Sequence, residues 1–136
     1  MNSPPVSGQP RILAIDDYPS VLVALEYVLP TFGYTVVTAA NGNAGLEIAA
    51  KGGIDLILTD IDMRDFGGIA VLEKLQASPD LKHLPVVMMS GRAIPSVVTR
   101  AVAAGARAVV SKPFDLPALQ ATLAQHLPPG QANGPL

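Results

Sequence analysis

The feature that most constrains the fold of this chain is its alternation of short apolar runs with segments of helical periodicity. Five runs rich in Ile, Leu, Val and Met are separated by stretches in which apolar residues recur every three or four positions. We place strands at residues 11–15, 34–38, 54–59, 85–89 and 107–111. Such alternation is typical of repeated β–α units, and it predicts an α/β fold with a doubly wound parallel sheet covered by helices on both faces.

The segments between these runs carry signals for helix starts and helix ends. Pro19 and Pro95 suit a first helical turn, where the missing N–H group has no partner to lose. Asn41 with the following glycine turns the chain into a short helix, and Gly105 is typical of a helix end. Asp115 can cap the last helix. Together with a third helix between the third and fourth strands, these signals predict a (βα)5 arrangement.

The length of the chain, 136 residues, fits one domain that can bury a core. We assign residues 11–127 to this domain. Residues 1–10 and 128–136 are rich in proline or glycine and are predicted to be flexible tails. The second tail is either a linker remnant or a natural end.

The composition excludes several classes of function. With a net charge of −2, the chain lacks the excess of basic residues that binding to nucleic acid or to an anionic membrane requires. The absence of cysteine excludes disulfides, thiolate catalysis and cysteine-ligated zinc. No stretch has the pattern of a signal peptide or the length of a membrane span, so we expect a soluble cytoplasmic protein.

Polar side chains stand at the carboxyl ends of four of the five apolar runs. The first run leads into Asp16 and Asp17, and the third ends at Asp60. The fourth ends at Ser90, and the fifth is followed by Lys112. Because these strand ends share one edge of a parallel sheet, we expect three carboxylates, a hydroxyl and an ammonium group to converge there.

These residue types suit a divalent cation and a phosphoryl group. Asp16, Asp17 and Asp60 offer the oxygen ligands that Mg²⁺ prefers. Asp60 is also a candidate nucleophile for an aspartyl phosphate, whose oxygens Lys112 and Ser90 would bind. Taken singly, Asp17 could be a helix cap, Ser90 a turn residue and Lys112 an exposed lysine. Their joint occurrence at strand ends favours the functional interpretation.

The same residues make the chain resemble the receiver domain of two-component response regulators over roughly residues 11–127. The family has an acidic pair after the first strand, a phosphoacceptor segment, a hydroxyl switch position and a lysine–proline signature. The matching segments here are Asp16-Asp17, Asp60-Ile-Asp-Met63, Met89-Ser90-Gly91 and Ser111-Lys112-Pro113-Phe114.

The resemblance implies a flavodoxin-like fold with sheet order 2-1-3-4-5 and a cis peptide between Lys112 and Pro113. It implies that Mg²⁺ is bound by Asp17, Asp60 and the backbone carbonyl of Asp62, with Asp16 as the other member of the acidic pair at the metal site. Asp60 would receive a phosphoryl group from a histidine kinase or a phosphotransfer protein. Such a domain is a signalling switch of a phosphorelay that assists its own phosphorylation and dephosphorylation, and is not an enzyme acting on a separate substrate.

The partner surface implied by the resemblance is the face of the last two helices and the strand between them. Residues 97–127 are sparsely charged, which suits docking of a downstream protein or of a second copy of the chain. Such a chain would be a stand-alone regulator or the receiver part of a longer protein.

Two positions depart from the family pattern. Arg64 stands where the family usually has proline, and Val109 stands where it often has an aromatic residue that moves on activation. We also predict an ion pair between Asp62 and Arg92 that flanks the path of the phosphoryl group. The alternative is that both side chains are merely solvated, worth at most about 1 kcal/mol.

Two other functions compete with the phosphorylated switch. Asp60-Ile-Asp62 resembles the paired aspartates of haloacid-dehalogenase-type phosphatases, but that family needs its acidic metal-binding pair after the lysine, whereas Asp16 and Asp17 precede Lys112. The other alternative is a receiver-like module that binds partners without phosphorylation, which the valine at position 109 keeps open.

Overall fold

The computed structural model describes residues 8–64, 66–92 and 94–129, and these form one five-stranded sheet with helices on both faces. The strands are all parallel and run in the order β2-β1-β3-β4-β5. Their bounds are β1 Arg11–Ile15, β2 Thr35–Ala39, β3 Leu56–Asp60, β4 Val86–Ser90 and β5 Ala108–Ser111. The predicted fold class and strand order are confirmed. Most of both predicted tails lies outside the described residues.

Five α-helices connect and follow the strands, as predicted. Their bounds are α1 Pro19–Val28, α2 Gly42–Ala50, α3 Gly68–Gln76, α4 Pro95–Ala104 and α5 Leu116–His126. Asp115 caps α5, since its carboxylate accepts a hydrogen bond from the backbone N–H of Ala118 at 3.2 Å. Gly105 ends α4 with φ +118°, a left-handed conformation that glycine adopts without steric penalty.

One short element was not predicted, a 3-10 turn over Leu29–Phe32 that continues α1. Pro30 lacks the N–H group that the next α-helical hydrogen bond needs. The chain therefore tightens into a 3-10 turn and closes at Gly33, whose φ is +99°.

The core lies in two layers, one on each face of the sheet. Along β1, Leu13 and Ile15 pack toward α2, α3 and α4, while Ile12 and Ala14 pack toward α1 and α5. Successive side chains of a strand point to opposite faces, so a central strand buries apolar residues at every position. All four of these residues are fully buried. The central strands are thus held rigidly by the core, and this fixes the position of the residues at their carboxyl ends.

Candidate functional site

The three predicted carboxylates lie together at the carboxyl edge of the sheet. Asp16 and Asp17 follow β1, and Asp60 is the last residue of the neighbouring strand β3. The register pairs Ile15 with Thr59, so the next residue of each strand falls at the same level. One carboxylate oxygen from each of the three residues lies within 4.8 Å of the others. Asp16 and Asp60 are buried, and Asp17 is partly buried.

Lys112 joins two of these carboxylates. Its Nζ atom lies 3.1 Å from Oδ2 of Asp16 and 3.1 Å from Oδ1 of Asp60. The side chain is largely covered, and the ring of Tyr18 lies over it with its centroid 5.7 Å from Nζ. The peptide bond between Lys112 and Pro113 is cis, as the family resemblance implied. The structure therefore places the lysine among the acids, as predicted.

Burial and neighbouring charges shift the pKa values of Asp60 and Lys112. Burial raises the pKa of Asp60, the nearby Asp16 carboxylate raises it further, and Lys112 only partly offsets these effects. Burial alone would lower the pKa of Lys112, but its hydrogen bonds to Asp16 and Asp60 outweigh burial and raise it. Lys112 therefore stays protonated, while the ionised form of Asp60 is disfavoured by its surroundings.

Asp17 has a different partner, which is Arg64. The Nε–H group and the backbone N–H of Arg64 both donate to Oδ2 of Asp17, at 3.2 and 3.0 Å. Burial is the largest single influence on the pKa of Asp17 and raises it, but the contacts with Arg64 together reverse this, and the pKa is lowered. The helix-cap interpretation of Asp17 is wrong, because α1 is capped at Tyr18 without a side-chain hydrogen bond.

Two described residues that follow Arg64, Phe66 and Gly68, make close contacts with α2 and with the sheet edge. Gly68 donates its backbone N–H to the carbonyl of Ile61 at 3.0 Å, and a side chain at Gly68 would collide with the backbone of Asp60. The ring of Phe66 packs directly against Gly42 at the start of α2, in space that a β-carbon would fill. The loop therefore lies close to both the sheet edge and the neighbouring helix.

Ser90 ends β4 and is fully buried. Its hydroxyl oxygen accepts a hydrogen bond from the backbone N–H of Arg92 at 2.9 Å, so the hydroxyl hydrogen is still available to a further acceptor. Its carbonyl accepts the backbone N–H of Lys112 at 2.9 Å, which connects the predicted switch residue to the lysine.

The predicted ion pair between Asp62 and Arg92 is not formed among the described residues. Both side chains are exposed, and the contact that Arg92 makes near the site comes from its backbone N–H instead. The arginine that does contact the acidic cluster is Arg64. The sequence singled out this position as a departure from the family pattern, but it carried no signal that the partner would be Asp17, 47 positions away.

Val109 is partly buried against the core layer of α2, α3 and α4. It borders a groove of about 220 Å³ between β5 and α5. The other lining residues are Val110, Ser111, Phe114, Asp115, Ala118, Leu119 and Thr122. The side chain at position 109, where the family often has an aromatic residue, faces the layer of α4, whereas the next residue, Val110, faces α5.

The acidic cluster suits a hard divalent cation. Oδ1 of Asp17 is buried and has no hydrogen-bond partner in the described part of the chain. A buried acceptor without a partner is costly, and a bound cation would satisfy it. With an oxygen of Asp16 and one of Asp60 within 4.8 Å, the donor set is all oxygen, which fits Mg²⁺.

Comparisons with known proteins agree with this geometry. The family described as response regulator receiver domain matches residues 12–124. Chemotaxis protein CheY-3 of Vibrio cholerae is 31% identical over 114 residues, which cover 83% of this chain and 88% of that protein. The structure of CheY4 of Vibrio cholerae superposes with a TM-score of 0.81 at 30% identity, covering 87% of this chain and 98% of that one.

A second structure bears on the metal. The receiver domain of sensor histidine kinase PA1611 from Pseudomonas aeruginosa, described with a magnesium ion coordinated in the active site cleft, has a TM-score of 0.79 at 25% identity. The match covers 88% of this chain and 98% of that one.

Several similar proteins are much longer than the matched region. The match to a probable cyclic di-GMP phosphodiesterase of Vibrio cholerae, at 32% identity, covers 88% of this chain but 27% of that protein. The match to the two-component response regulator ARR2 of Arabidopsis thaliana covers 18% of its length. Within the described residues, no helix combines the length and the apolar character needed to cross a bilayer.

Proposed function

This chain belongs to the response regulator receiver domain family, and from this premise we propose that it is a phosphorylation-dependent switch whose phosphoacceptor is Asp60. The observation that carries the proposal is the convergence of Asp16, Asp17, Asp60 and Lys112 at one edge of the sheet. Receiver domains act with histidine kinases or phosphotransfer partners, and we assign such a protein as the phosphoryl donor.

Asp60 is the best placed nucleophile of the three acids. Lys112 holds its Oδ1 atom at 3.1 Å, and its second oxygen has no partner among the described residues. Burial and the charge of Asp16 raise the pKa of Asp60, so its carboxylate is less strongly stabilised than an exposed one and more basic. Asp16 has both oxygens engaged, one by Lys112 and one by the backbone N–H of Tyr18 at 2.9 Å.

The residues that would hold Mg²⁺ are Asp16, Asp17 and Asp60, with the backbone carbonyl of Asp62 as a further ligand. The free and buried Oδ1 atom of Asp17 supports this assignment. When bound, the cation would neutralise carboxylate charge and stabilise the negative charge of the incoming phosphoryl group.

The transfer itself is a displacement at phosphorus. The free oxygen of Asp60 forms a new O–P bond while the N–P bond of a phosphohistidine donor breaks. The electron pair of that bond returns to the imidazole nitrogen of the donor, and Asp60 becomes an acyl phosphate. Hydrolysis of this acyl phosphate by water releases inorganic phosphate and regenerates the carboxylate.

Lys112 and Ser90 are positioned to respond to the phosphoryl group. Lys112 already contacts Asp60 and would exchange a carboxylate oxygen for phosphoryl oxygens that carry more charge. The Ser90 hydroxyl retains its hydrogen for donation, because its present contact with Arg92 uses the oxygen as acceptor. A shift of Ser90 would be passed to β5 through the bond between its carbonyl and Lys112.

The output surface in this proposal is the face formed by α4, β5 and α5. It includes exposed apolar side chains, among them Ile94, Val102 and Leu116, with exposed fractions of 52%, 49% and 44%. We assign a downstream protein to this face, and a second copy of the chain as an additional partner.

The decisive experiment incubates the protein with Mg²⁺ and a small phosphodonor and measures intact mass. We expect one added phosphoryl group in the wild type and none in Asp60→Asn or in the presence of a metal chelator. Asp80→Asn is the matched control, because Asp80 is an exposed loop residue away from the strand ends, and this variant should be modified like the wild type.

The outcome of the same experiment separates the competing functions. Addition of a phosphoryl group that persists in Asp60→Asn would overturn the assignment of the phosphoacceptor. Absence of any adduct in the wild type would favour a receiver-like module that binds partners without phosphorylation. Steady release of phosphate from many small phosphate esters would favour a phosphatase.

A further inference from the structure

We propose that the side chain of Arg64 is an internal cation that occupies Asp17 in the metal-free protein and competes with Mg²⁺, so that Arg64 sets the metal affinity of the site. This inference rests on the proposed role of Asp17 as a metal ligand. It goes beyond that role because it assigns a function to a residue of the loop after β3.

Of the three carboxylates in the cluster, Asp17 is the one that makes no ion pair with Lys112. Lys112 contacts Asp16 and Asp60, each at 3.1 Å, and Asp17 is the next residue after Asp16 in the chain. The Nε–H group of Arg64 supplies the second cation, 3.2 Å from Oδ2 of Asp17. In the metal-free state, three carboxylates are thus opposed by two basic side chains, and a divalent cation makes one of these redundant.

The side chain of Arg64 is free to leave, whereas its backbone is not. Its exposed fraction is 82%, and the Asp17 carboxylate that it contacts is only 12% exposed. The backbone N–H of Arg64 also binds Oδ2, and Phe66 and Gly68 further along the chain pack against α2 and the sheet edge. Withdrawal of the guanidinium therefore leaves Asp17 oriented, with its buried Oδ1 atom still without a partner among the described residues.

The direction of the effect is set by charge alone. A positive group beside a ligand carboxylate makes the local electrostatic potential less negative and so weakens the attraction for Mg²⁺. Removal of the positive group should therefore tighten metal binding. Because the guanidinium is exposed and screened, we expect Arg64→Ala to lower the dissociation constant for Mg²⁺ by about two- to fivefold.

The test is a titration of the metal-free protein with Mg²⁺, monitored by NMR of the backbone amides of residues 15–18 and 59–62. Arg92→Ala is the matched control, since it removes the same charge from an exposed side chain on the neighbouring loop, one that makes no ion pair among the described residues. Arg64→Ala should bind Mg²⁺ more tightly than both the wild type and Arg92→Ala. Equal dissociation constants for the two variants would overturn the proposal.

A second readout monitors the arginine itself. In the wild type, the Nε–H signal of Arg64 should move toward the position of an unpaired arginine as Mg²⁺ is added, with the same midpoint as the amide signals. A signal that stays unchanged through saturation would show that the guanidinium is not displaced, and would overturn the proposal even if the affinities differ.

Asp17→Asn separates this proposal from the proposed function. If the wild type binds Mg²⁺ and Asp17→Asn binds it much more weakly, the metal site stands, and the Arg64 variants decide the competition alone. If the wild type and Asp17→Asn both fail to bind Mg²⁺, the metal assignment fails first, and the competition proposal fails with it.

Discussion

The two halves of the site are constructed differently. The acidic half consists of Asp16, Asp17 and Asp60 with Lys112 and Arg64, and its contacts join residues 47 and 96 positions apart in the chain. The relay half consists of Ser90 and Val109 with the adjoining groove. Its polar side-chain contact, between the Ser90 hydroxyl and the N–H of Arg92, spans two residues.

This difference indicates which half can move. Long-range charged contacts hold the carboxylates of the acidic half close together, and such preorganisation is what the proposed phosphoryl transfer would require. In the relay half, the side chain of Ser90 makes one local hydrogen bond, and a groove of about 220 Å³ borders Val109. We therefore expect substitutions in the acidic half to change stability and chemistry, and those in the relay half to change mainly how the signal leaves the site.

The largest effect should come from Lys112→Met. This change leaves the buried carboxylates of Asp16 and Asp60 without their shared cation, and breaking such a pair costs about 3 kcal/mol of unfolding free energy. Urea denaturation at neutral pH without metal measures the loss, and saturating Mg²⁺ should reduce it. Lys82→Met, at an exposed loop lysine, is the control. A loss no larger than that of Lys82→Met would show that Lys112 does not hold the acidic half together.

Asp60→Asn should stabilise the metal-free protein by about 1 kcal/mol at neutral pH, because the ionised carboxylate is buried beside Asp16. The folded-state pKa of Asp60 is raised above the ordinary value of 3.8, so the folded protein favours the protonated form. Its destabilising contribution is absent below the unfolded pKa and grows as pH rises through the folded pKa. The gain from Asp60→Asn should therefore disappear on acidification to about pH 4, as measured by thermal unfolding.

Asp17 provides the contrasting control for this pH dependence. Its pKa is lowered, so it stabilises the fold above the unfolded pKa of 3.8, and this contribution is lost as pH falls through the folded pKa. Asp17→Asn should thus lower stability at neutral pH, opposite in sign to Asp60→Asn. The same sign for both variants would contradict the assigned charge balance.

Ser90→Ala should cost about 1 kcal/mol, because the backbone N–H of Arg92 loses its acceptor at the buried hydroxyl. Its effect on Mg²⁺ affinity should be negligible, since no carboxylate contact of the acidic half involves Ser90 among the described residues. Ser90→Thr retains the hydroxyl and is the control. A large change in Mg²⁺ affinity for Ser90→Ala would mean that the two halves are not separate.

The smallest effect should come from Val109→Phe. Extra volume in a tightly packed core usually costs about 1–3 kcal/mol. Val109 is only partly buried, on the edge strand, so the ring can extend toward solvent, and we expect a change in unfolding free energy within about 0.5 kcal/mol. Val87→Phe, at a fully buried position of β4, is the control and should be strongly destabilising. Equal losses would show that position 109 cannot accept an aromatic side chain.

Much of the fold was predictable because it depends on periodicity and on local signals. The alternation of apolar runs indicated the five parallel strands, and Pro19, Gly105 and Asp115 act at the helix boundaries as local chemistry requires. The 3-10 turn at Leu29–Phe32 escaped prediction because the proline pattern indicates only where an α-helix stops, and does not specify the conformation of the next few residues.

The site was predictable in its membership but not in its pairing. Parallel strands with polar ends require Asp16, Asp60 and Lys112 to meet, whatever the details of the loops. Which arginine contacts the cluster depends on the path of the loop after β3, and hence on the packing of Phe66 against Gly42. A pattern of residue types does not specify that path, so the sequence led to a predicted pair of Arg92 with Asp62 and gave no indication of the pair of Arg64 with Asp17.

The position of Lys112 also bears on how the molecule opens. β5 is an edge strand, bonded along one side to β4, yet the lysine after it reaches past β4 to acids at the ends of β1 and β3. If β5 and α5 detach in a local unfolding event, those buried acids lose their cation at the same moment. The ion pairs of Lys112 therefore link the edge of the sheet to its central strands. We expect the rate of amide exchange in β5 to depend on the ionisation of Asp16 and Asp60, at the ends of β1 and β3.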